Sequence, residues 1–331
     1  MKLENIGFYT LSDYRASQTS RKSPLWRCEL ILTDKCNFSC QYCRGLRHDI
    51  SGTLSFNDAI HVLDLWCADG LKNVRFSGGE PTLYKELEHL VSYCKKNGVE
   101  HIAVSTNGSA DWSKYEELNA AGVNDFSVSL DSCCSAIGDK MSGGITGTWK
   151  RVVENIGRMS EITYTTVGIV INEDNLKTCI DTIIFANSLG VSDIRVIPSS
   201  QYNKLIYVIE YVPDSILEKH PIFRYRVNNV RAGRNVRGIK DSDCKKCWLA
   251  LDDMAIAGGY HFPCIIYMRE QGNYIGKVGK NMRQEREDWV RNHDSFSDVI
   301  CRKNCLDVCI DYCNKVEEYN LCTRSHKEII S

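Results

Sequence analysis

The chain has 331 residues, 43% of them hydrophobic, and a formal net charge of −1. That length suffices for one large domain and a smaller one, each with its own core, and the near-neutral charge excludes a broad basic field for nucleic acid. No apolar run approaches the ~20 residues of a membrane span, residues 1–27 lack the basic start and apolar core of a secretory signal, and in the cytoplasmic setting this predicts, 17 cysteines point to metal rather than disulfides.

Residues 1–24 read as an N-terminal extension. From Leu25 to about residue 200, strand and helix patterns alternate. Trp26–Leu32 is a strand ending at Thr33-Asp34. Ser55–Trp66 carries Phe56, Ile60 and Leu63 at helical spacing behind Ser55 as N-cap. Asn73–Phe76 is a strand before a Gly-Gly turn, and Tyr84–Lys96 a helix closing at Gly98. His101–Ser105, Asp125–Leu130, Tyr164–Ile171 and Asp193–Ile197 follow as strands, with helices at Trp112–Ala121, Trp149–Met159 and Leu176–Leu189. Six such steps predict an α/β fold with parallel strands and right-handed crossovers, a partial (β/α)6 barrel. In barrels of this kind the chemistry sits at the C-terminal ends of the strands. Residues 201–243 form a bridging segment with a weaker pattern. Arginines 224, 226, 231, 234 and 237 crowd it, either to grip an anionic substrate or as a solvated loop. Residues 244–331 are a small cysteine-rich α+β unit.

After the first strand comes Cys36-Asn-Phe-Ser-Cys40-Gln-Tyr-Cys43, a C-x3-C-x2-C triplet. Three thiolates can hold three irons of a cubane and leave the fourth open; a zinc site lacking one ligand is the alternative on spacing alone. Ser77-Gly78-Gly79-Glu80-Pro81 follows the second strand, Ser105-Thr106-Asn107-Gly108 the third, and Ser127-Val-Ser129-Leu-Asp131 the fourth. Val167-Gly-Ile169-Val-Ile171 forms the fifth.

In this order and placement, the loop and the segments behind it resemble the radical S-adenosylmethionine (SAM) superfamily over roughly residues 25–200. The resemblance implies a [4Fe–4S] cluster on Cys36, Cys40 and Cys43 whose open iron binds SAM. Reductive cleavage of SAM then yields a 5′-deoxyadenosyl radical that abstracts a hydrogen atom from substrate. It implies Tyr42 and Ile169 beside the adenine, and Ser77, Gly78, Gly79 and Glu80 around the SAM ammonium. Ser105 and Asn107 meet the ribose and carboxylate, Ser129 sits near SAM, and Asp131 faces substrate. Asp131 or Glu173 is an available base. A flavodoxin- or ferredoxin-like donor supplies the electron.

The last unit carries Cys244, Cys247, Cys264, Cys301, Cys305, Cys309, Cys313 and Cys322. On one straight helix Cys301 and Cys313 would lie ~18 Å apart, too far for one cubane, so the segment bends or its ligands divide. The Gly258-Gly259…Cys264 element is similar to the SPASM extension that holds auxiliary clusters in many radical SAM enzymes. Carried over by order, Cys244, Cys247, Cys264 and Cys313 hold one auxiliary [4Fe–4S] cluster. Cys301, Cys305, Cys309 and Cys322 hold a second. The C-x3-C-x3-C-x3-C spacing departs from the family's C-x2-C-x5-C-x3-C, and a twitch-type unit with one auxiliary cluster is the alternative.

Two substrate classes follow. The first is a residue of a peptide or protein, modified as SPASM-type maturases do. The second is a small metabolite, sugar or nucleotide. The N-terminal half also resembles the molybdenum-cofactor cyclases that act on GTP, but the Lys327–Ser331 ending and the late cysteines differ from theirs. A non-enzymatic iron–sulfur carrier or zinc-stabilised module is the reading from another class. Cys133 and Cys134, just past a strand end, could donate a hydrogen atom to a substrate radical or form an unreactive loop pair.

Overall fold

The computed structural model describes residues 13–330 apart from 22, 24, 46–48, 51 and 200–202, and only the backbone of 13, 203–205 and 321–330. Helix α1 (Asp13–Gln18) precedes the strand–helix series. The steps are β1 (Arg27–Thr33) with α2 (Phe56–Ala68), β2 (Asn73–Gly78) with α3 (Leu87–Lys96), and β3 (His101–Thr106) with α4 (Trp112–Ala121). Next come β4 (Asp125–Ser129) with α5 (Ser135–Met141) and α6 (Thr148–Ile162), then β5 (Tyr164–Ile171) with α7 (Cys179–Ser188). Strand β6 (Asp193–Pro198) leads through α8 (Asp214–Leu217) to α9 (Pro221–Arg231), the sixth helix. Each strand from β2 to β6 pairs in parallel with its predecessor.

The strands form because apolar β-formers alternate onto one face: Leu30, Leu32, Phe76, Val104, Phe126 and Ile169 share that face by register and are all fully buried, while Glu29, Arg75, Ser105 and Ser127 alternate onto the other. A parallel-sheet face covered by helices requires such apolar residues. The α2 N-cap is as expected, the Ser55 side chain accepting from Asp58 N at 3.1 Å. The bridging segment is more helical than its sequence pattern indicates. In α9, Arg224, Arg226 and Arg231 dilute an apolar face of Ile222, Phe223, Val227 and Val230 that is buried nonetheless, and Pro221 starts the helix where its missing N–H costs nothing.

The C-terminal unit adds to the same sheet. Strand β7 (Asp253–Ala257) pairs in parallel with β1, Arg27 opposite Asp253 through Leu30 opposite Ile256. Antiparallel β8 (Tyr260–Phe262) and β9 (Gly276–Lys277) continue outward. The order β6-β5-β4-β3-β2-β1-β7-β8-β9 leaves the barrel unclosed. Helices α10 (Ile265–Arg269), α11 (Met282–Asn292), α12 (Val299–Asn304) and α13 (Asp307–Ile330) complete the chain. No helix among the described residues is long and apolar enough to cross a membrane.

Candidate active site

The cysteine loop leaves β1 at Thr33 and is clamped on two sides. Gly79 N donates to Thr33 O at 2.7 Å and Glu80 N to Lys35 O at 2.8 Å. A Cβ on Gly78 would lie 2.4 Å from Thr33 O, and one on Gly79 2.2 Å from Lys35 O. The Gly-Gly pair therefore makes room for the backbone of the cysteine loop. On the other side Ser39 N donates to Ser142 O at 3.1 Å, and a Cβ on Gly143 would fall 2.3 Å from Ser39 Oγ.

Cys36 and Cys43 are exposed and Cys40 is half-buried. Phe38 N and Gly45 N lie 3.4 Å from the sulfurs of Cys36 and Cys43. Asn107 Nδ2 lies 3.9 Å from Cys36 Sγ, and its amide also donates to Asn37 Oδ1 at 2.8 Å. Burial pushes the Cys40 thiol up to about 12, helped by the nearby Asp131, Cys43 and Cys36, and burial also raises Cys36. Thiols in that state become ligands only when a cation offsets their mutual repulsion. The donors do not converge as ligands of one ion do. Among the described residues the trio with donor atoms all within 4.8 Å is His293, Asp298 and Cys301, not this triplet. The wider spread suits a multi-metal cluster better than the zinc alternative.

The triplet opens on a cavity of about 510 Å³ over the C-terminal ends of the strands. Of the expected SAM contacts, Tyr42 from the loop, Ser77, Gly78 and Gly79 from β2, and Ser105 and Asn107 at the end of β3 all line it. So do Ser129 from β4 and Ile169 from β5, as well as Asp131. Glu80 does not, and this is a correction. It is 1% exposed. One carboxylate oxygen accepts from Thr82 N (3.1 Å), Thr82 Oγ1 (2.7 Å) and Thr106 Oγ1 (2.7 Å), the other from Asn107 N (2.7 Å). Glu80 staples the β2 turn to the β3 turn and so sets Asn107. Glu173 is exposed on the loop after β5 and does not line the cavity.

Tyr42 and Asp131 are joined: the phenol donates to one Asp131 oxygen, and Val170 N donates to the other at 2.7 Å. Burial pushes the Asp131 carboxyl up to about 6 against those two donors. Cys133 and Cys134 lie off the cavity; Cys133 N donates to Thr182 Oγ1 at 3.1 Å, and Cys134 sits at the N-terminus of α5.

The cavity lining also carries arginines: Arg44, next to Cys43, and Arg195, Arg226, Arg237 and Arg269. Arg226 pairs with Asp307 at 2.6 Å, Arg44 pairs with Glu270, and Arg237 donates to Asn304 O at 3.3 Å. Burial, with Arg44 and Arg226 close by, lowers Arg237 to about 10. Arg226 and Arg237 belong to the arginine-rich segment visible in the sequence. Arg44, Arg195 and Arg269 had no such signal, because three separate elements bring them in. The other members of that segment turn outward, Arg231 to Asp214 at 2.8 Å and Arg234 to Asp311 at 2.5 Å.

The C-terminal cysteines converge because the chain bends. Helix α12 ends at Asn304, Cys305 is extended (φ −58°, ψ 134°), and α13 starts at Asp307. The Gly258-Gly259 turn (φ +56° and +79°) reverses β7 into β8 and returns Cys264 to the N-terminus of α10. Cys313 packs with Cys244, Cys247 and Cys309, and the Cys313 thiol interacts with Cys247 as that of Cys305 does with Cys309. Cys264 interacts electrostatically with Cys247 and Cys309, Cys301 with Cys247 and Cys264, and Cys313 with Cys244. Of the first expected set, Cys244, Cys247 and Cys313 share a packed cluster, which also takes in Cys309 of the second. The second expected set, Cys301, Cys305, Cys309 and Cys322, does not come together. Cys309 and Cys322 are thirteen residues apart on the single helix α13, ~20 Å along its axis, beyond the span of one cubane. The Cys322 side chain lies outside the described residues.

The chain is similar to known proteins in two ways. In sequence it is 28% identical over 171 residues to a probable GTP 3′,8-cyclase of Sulfolobus acidocaldarius, covering 51% of this chain and 54% of that protein. It is 31% identical over 142 residues to a GTP 3′,8-cyclase of Synechococcus sp., covering 42% of this chain and 41% of the other. The chain spans about half the length of the curated relatives it matches. In fold it matches Streptococcus suis SuiB, solved with its precursor peptide SuiA, with a TM-score of 0.60 at 16% identity, over 86% of this chain and 68% of that one. It also matches anSMEcpe, solved with AdoMet and the Cp18Cys peptide, with a TM-score of 0.61 at 14% identity, over 92% and 98%. Those identities carry the fold alone. The model of the radical SAM superfamily matches residues 30–186, from within β1 into α7 and across the whole cysteine loop, and the chain therefore carries a radical SAM domain.

Proposed function

We propose that this radical SAM enzyme binds a [4Fe–4S] cluster on Cys36, Cys40 and Cys43, cleaves SAM, and abstracts a hydrogen atom from a small anionic substrate held by the arginine lining. The carrying observation is the cavity itself, lined by three thiols and five guanidinium groups. When bound, such a cluster supplies the electron that splits SAM into methionine and the 5′-deoxyadenosyl radical. The chain's own residues do the rest. Phe38 N, Gly45 N and Asn107 direct N–H groups at the thiolates, and such donors tune a cluster's potential. Glu80 fixes the turn that presents Asn107. Tyr42, anchored by Asp131, offers a ring to the adenine. Arg44, Arg237 and Arg269 supply planar donor forks for phosphate or carboxylate. The names of the sequence relatives, which act on GTP, favour a nucleotide within that class.

Anaerobic reconstitution followed by SAM and dithionite, the latter in place of a flavodoxin- or ferredoxin-like donor, tests the reading. 5′-Deoxyadenosine should form and vanish in Cys40→Ala. Arg237→Ala and Arg269→Ala should keep uncoupled SAM cleavage while weakening anionic substrates at least tenfold. Iron without SAM cleavage would mean an electron carrier. A second reading, modification of a peptide residue, draws on the peptide-bound fold neighbours. It predicts that these arginine variants leave substrate binding unchanged.

A further inference from the structure

We propose that His293, Asp298 and Cys301 form a binding site for a single zinc ion, separate from the iron–sulfur ligands. The three donor atoms lie within 4.8 Å of one another and are half-buried. Cys301 Sγ and His293 Nε2 are 3.6 Å apart. Tetrahedral zinc with its usual Zn–S and Zn–N bonds sets that separation at about 3.5 Å. Ligands on two different irons of a cubane stand farther apart, because a metal–metal edge lies between them. Mixed imidazole, carboxylate and thiolate donors suit zinc.

The surroundings hold each donor in place. The His293 ring stacks on Trp289 with centroids 4.0 Å apart and meets Tyr267 edge-on. Asp298 caps α12 by accepting from Cys301 N at 2.8 Å, and its other oxygen accepts from Tyr267 OH at 3.0 Å. Each carboxylate oxygen has a second lone pair, so these bonds orient Asp298 without exhausting it. Outer partners of this kind are what fix a metal ligand's geometry. Three protein donors leave the fourth tetrahedral position to water. The ion would join the C-terminus of α11 to the N-terminus of α12. Cys301 is then withdrawn from the auxiliary iron–sulfur set, which leaves Cys244, Cys247, Cys264, Cys305, Cys309 and Cys313 for one cluster.

The probe is zinc itself, added to the full-length chain after reconstitution with iron and sulfide. Metal analysis should find about one zinc per chain, and zinc-edge X-ray absorption should show one sulfur among nitrogen and oxygen neighbours. His293→Gln should weaken zinc at least tenfold with iron content unchanged, which also reports that the variant folds. His293→Cys should restore zinc with a second sulfur neighbour. The proposal is overturned if no zinc binds, if its shell is all sulfur, or if His293→Gln strips iron, which would place Cys301 in a cluster. These readouts are independent of SAM cleavage, so failure of the proposed activity would leave them standing.

Discussion

Asp131 illustrates how a site residue's role depends on what its atoms already hold. Its two oxygens are taken by Tyr42 OH and Val170 N, so it is an anchor for Tyr42. Burial lifts its carboxyl from an ordinary 3.8 to about 6. Between those values the folded chain keeps a proton that the unfolded chain has released, so folding stability falls as pH rises from about 4 to about 6. Asp131→Asn keeps an acceptor and removes the titration. Urea unfolding across that range should give a flatter pH dependence in the variant; an unchanged slope would mean that Asp131 titrates normally. Glu80 makes the complementary point. A carboxylate beside a Gly-Gly turn looks available in sequence, yet buried polar atoms must find partners, and Thr82, Thr106 and Asn107 supply them.

At the scale of elements, the loops over the barrel mouth are built by backbone contact between neighbouring strand ends. Gly79→Ala would put a methyl 2.2 Å from Lys35 O, a backbone atom that cannot rotate away. The cysteine loop would have to move, at a cost of about 1–3 kcal/mol. Reconstituted iron should fall well below wild type while the chain stays folded. Gly144→Ala, with open space around it but φ +83°, should cost only about 1 kcal/mol and retain iron; equal iron in both variants would refute the clamp. The strands and most helices were legible because their apolar periodicity is local; Tyr164–Ile171 matches to the residue. The triplet and strand-end motifs were legible because one loop or one strand end carries each. The arginine lining was legible only in part: Arg226 and Arg237 stand in the arginine-rich bridging segment, whereas Arg44, Arg195 and Arg269 come from separate elements that meet only in the fold. His293 was not legible, an isolated histidine until α11 and α12 bring it to Cys301. The ~18 Å span of Cys301–Cys313 on a straight helix called for a bend or divided ligands, but the place of the bend was not legible: only the extended Cys305 backbone fixes it.

At the scale of the whole molecule, the cysteine-rich unit and the barrel share one sheet through the β1–β7 pairing, and the N-terminal extension is locked to both. Asp252, fully buried just before β7, receives Arg15 at 2.7 Å, Thr19 Oγ1 at 2.7 Å, Ser23 Oγ at 3.0 Å and Tyr312 OH. Its own carbonyl accepts from Trp26 N and Arg27 N at the start of β1. A single residue thus joins α1 and α13 through its carboxylate and β1 to β7 through its main chain. Removing it leaves the Arg15 guanidinium, 2% exposed, without its charge partner, and breaking a buried pair costs about 3–5 kcal/mol. Arg15→Leu in the same background removes the stranded charge and should recover much of that loss. If the chain folds as one unit, Asp252→Ala should shift one urea transition to lower denaturant by every probe, including tryptophan fluorescence and circular dichroism. If instead barrel and cysteine-rich unit are independent, the variant should split the transition, the barrel unfolding at its wild-type midpoint while the C-terminal helices melt earlier. The shared sheet and the four-way junction at Asp252 favour the single transition, and a split one would refute it.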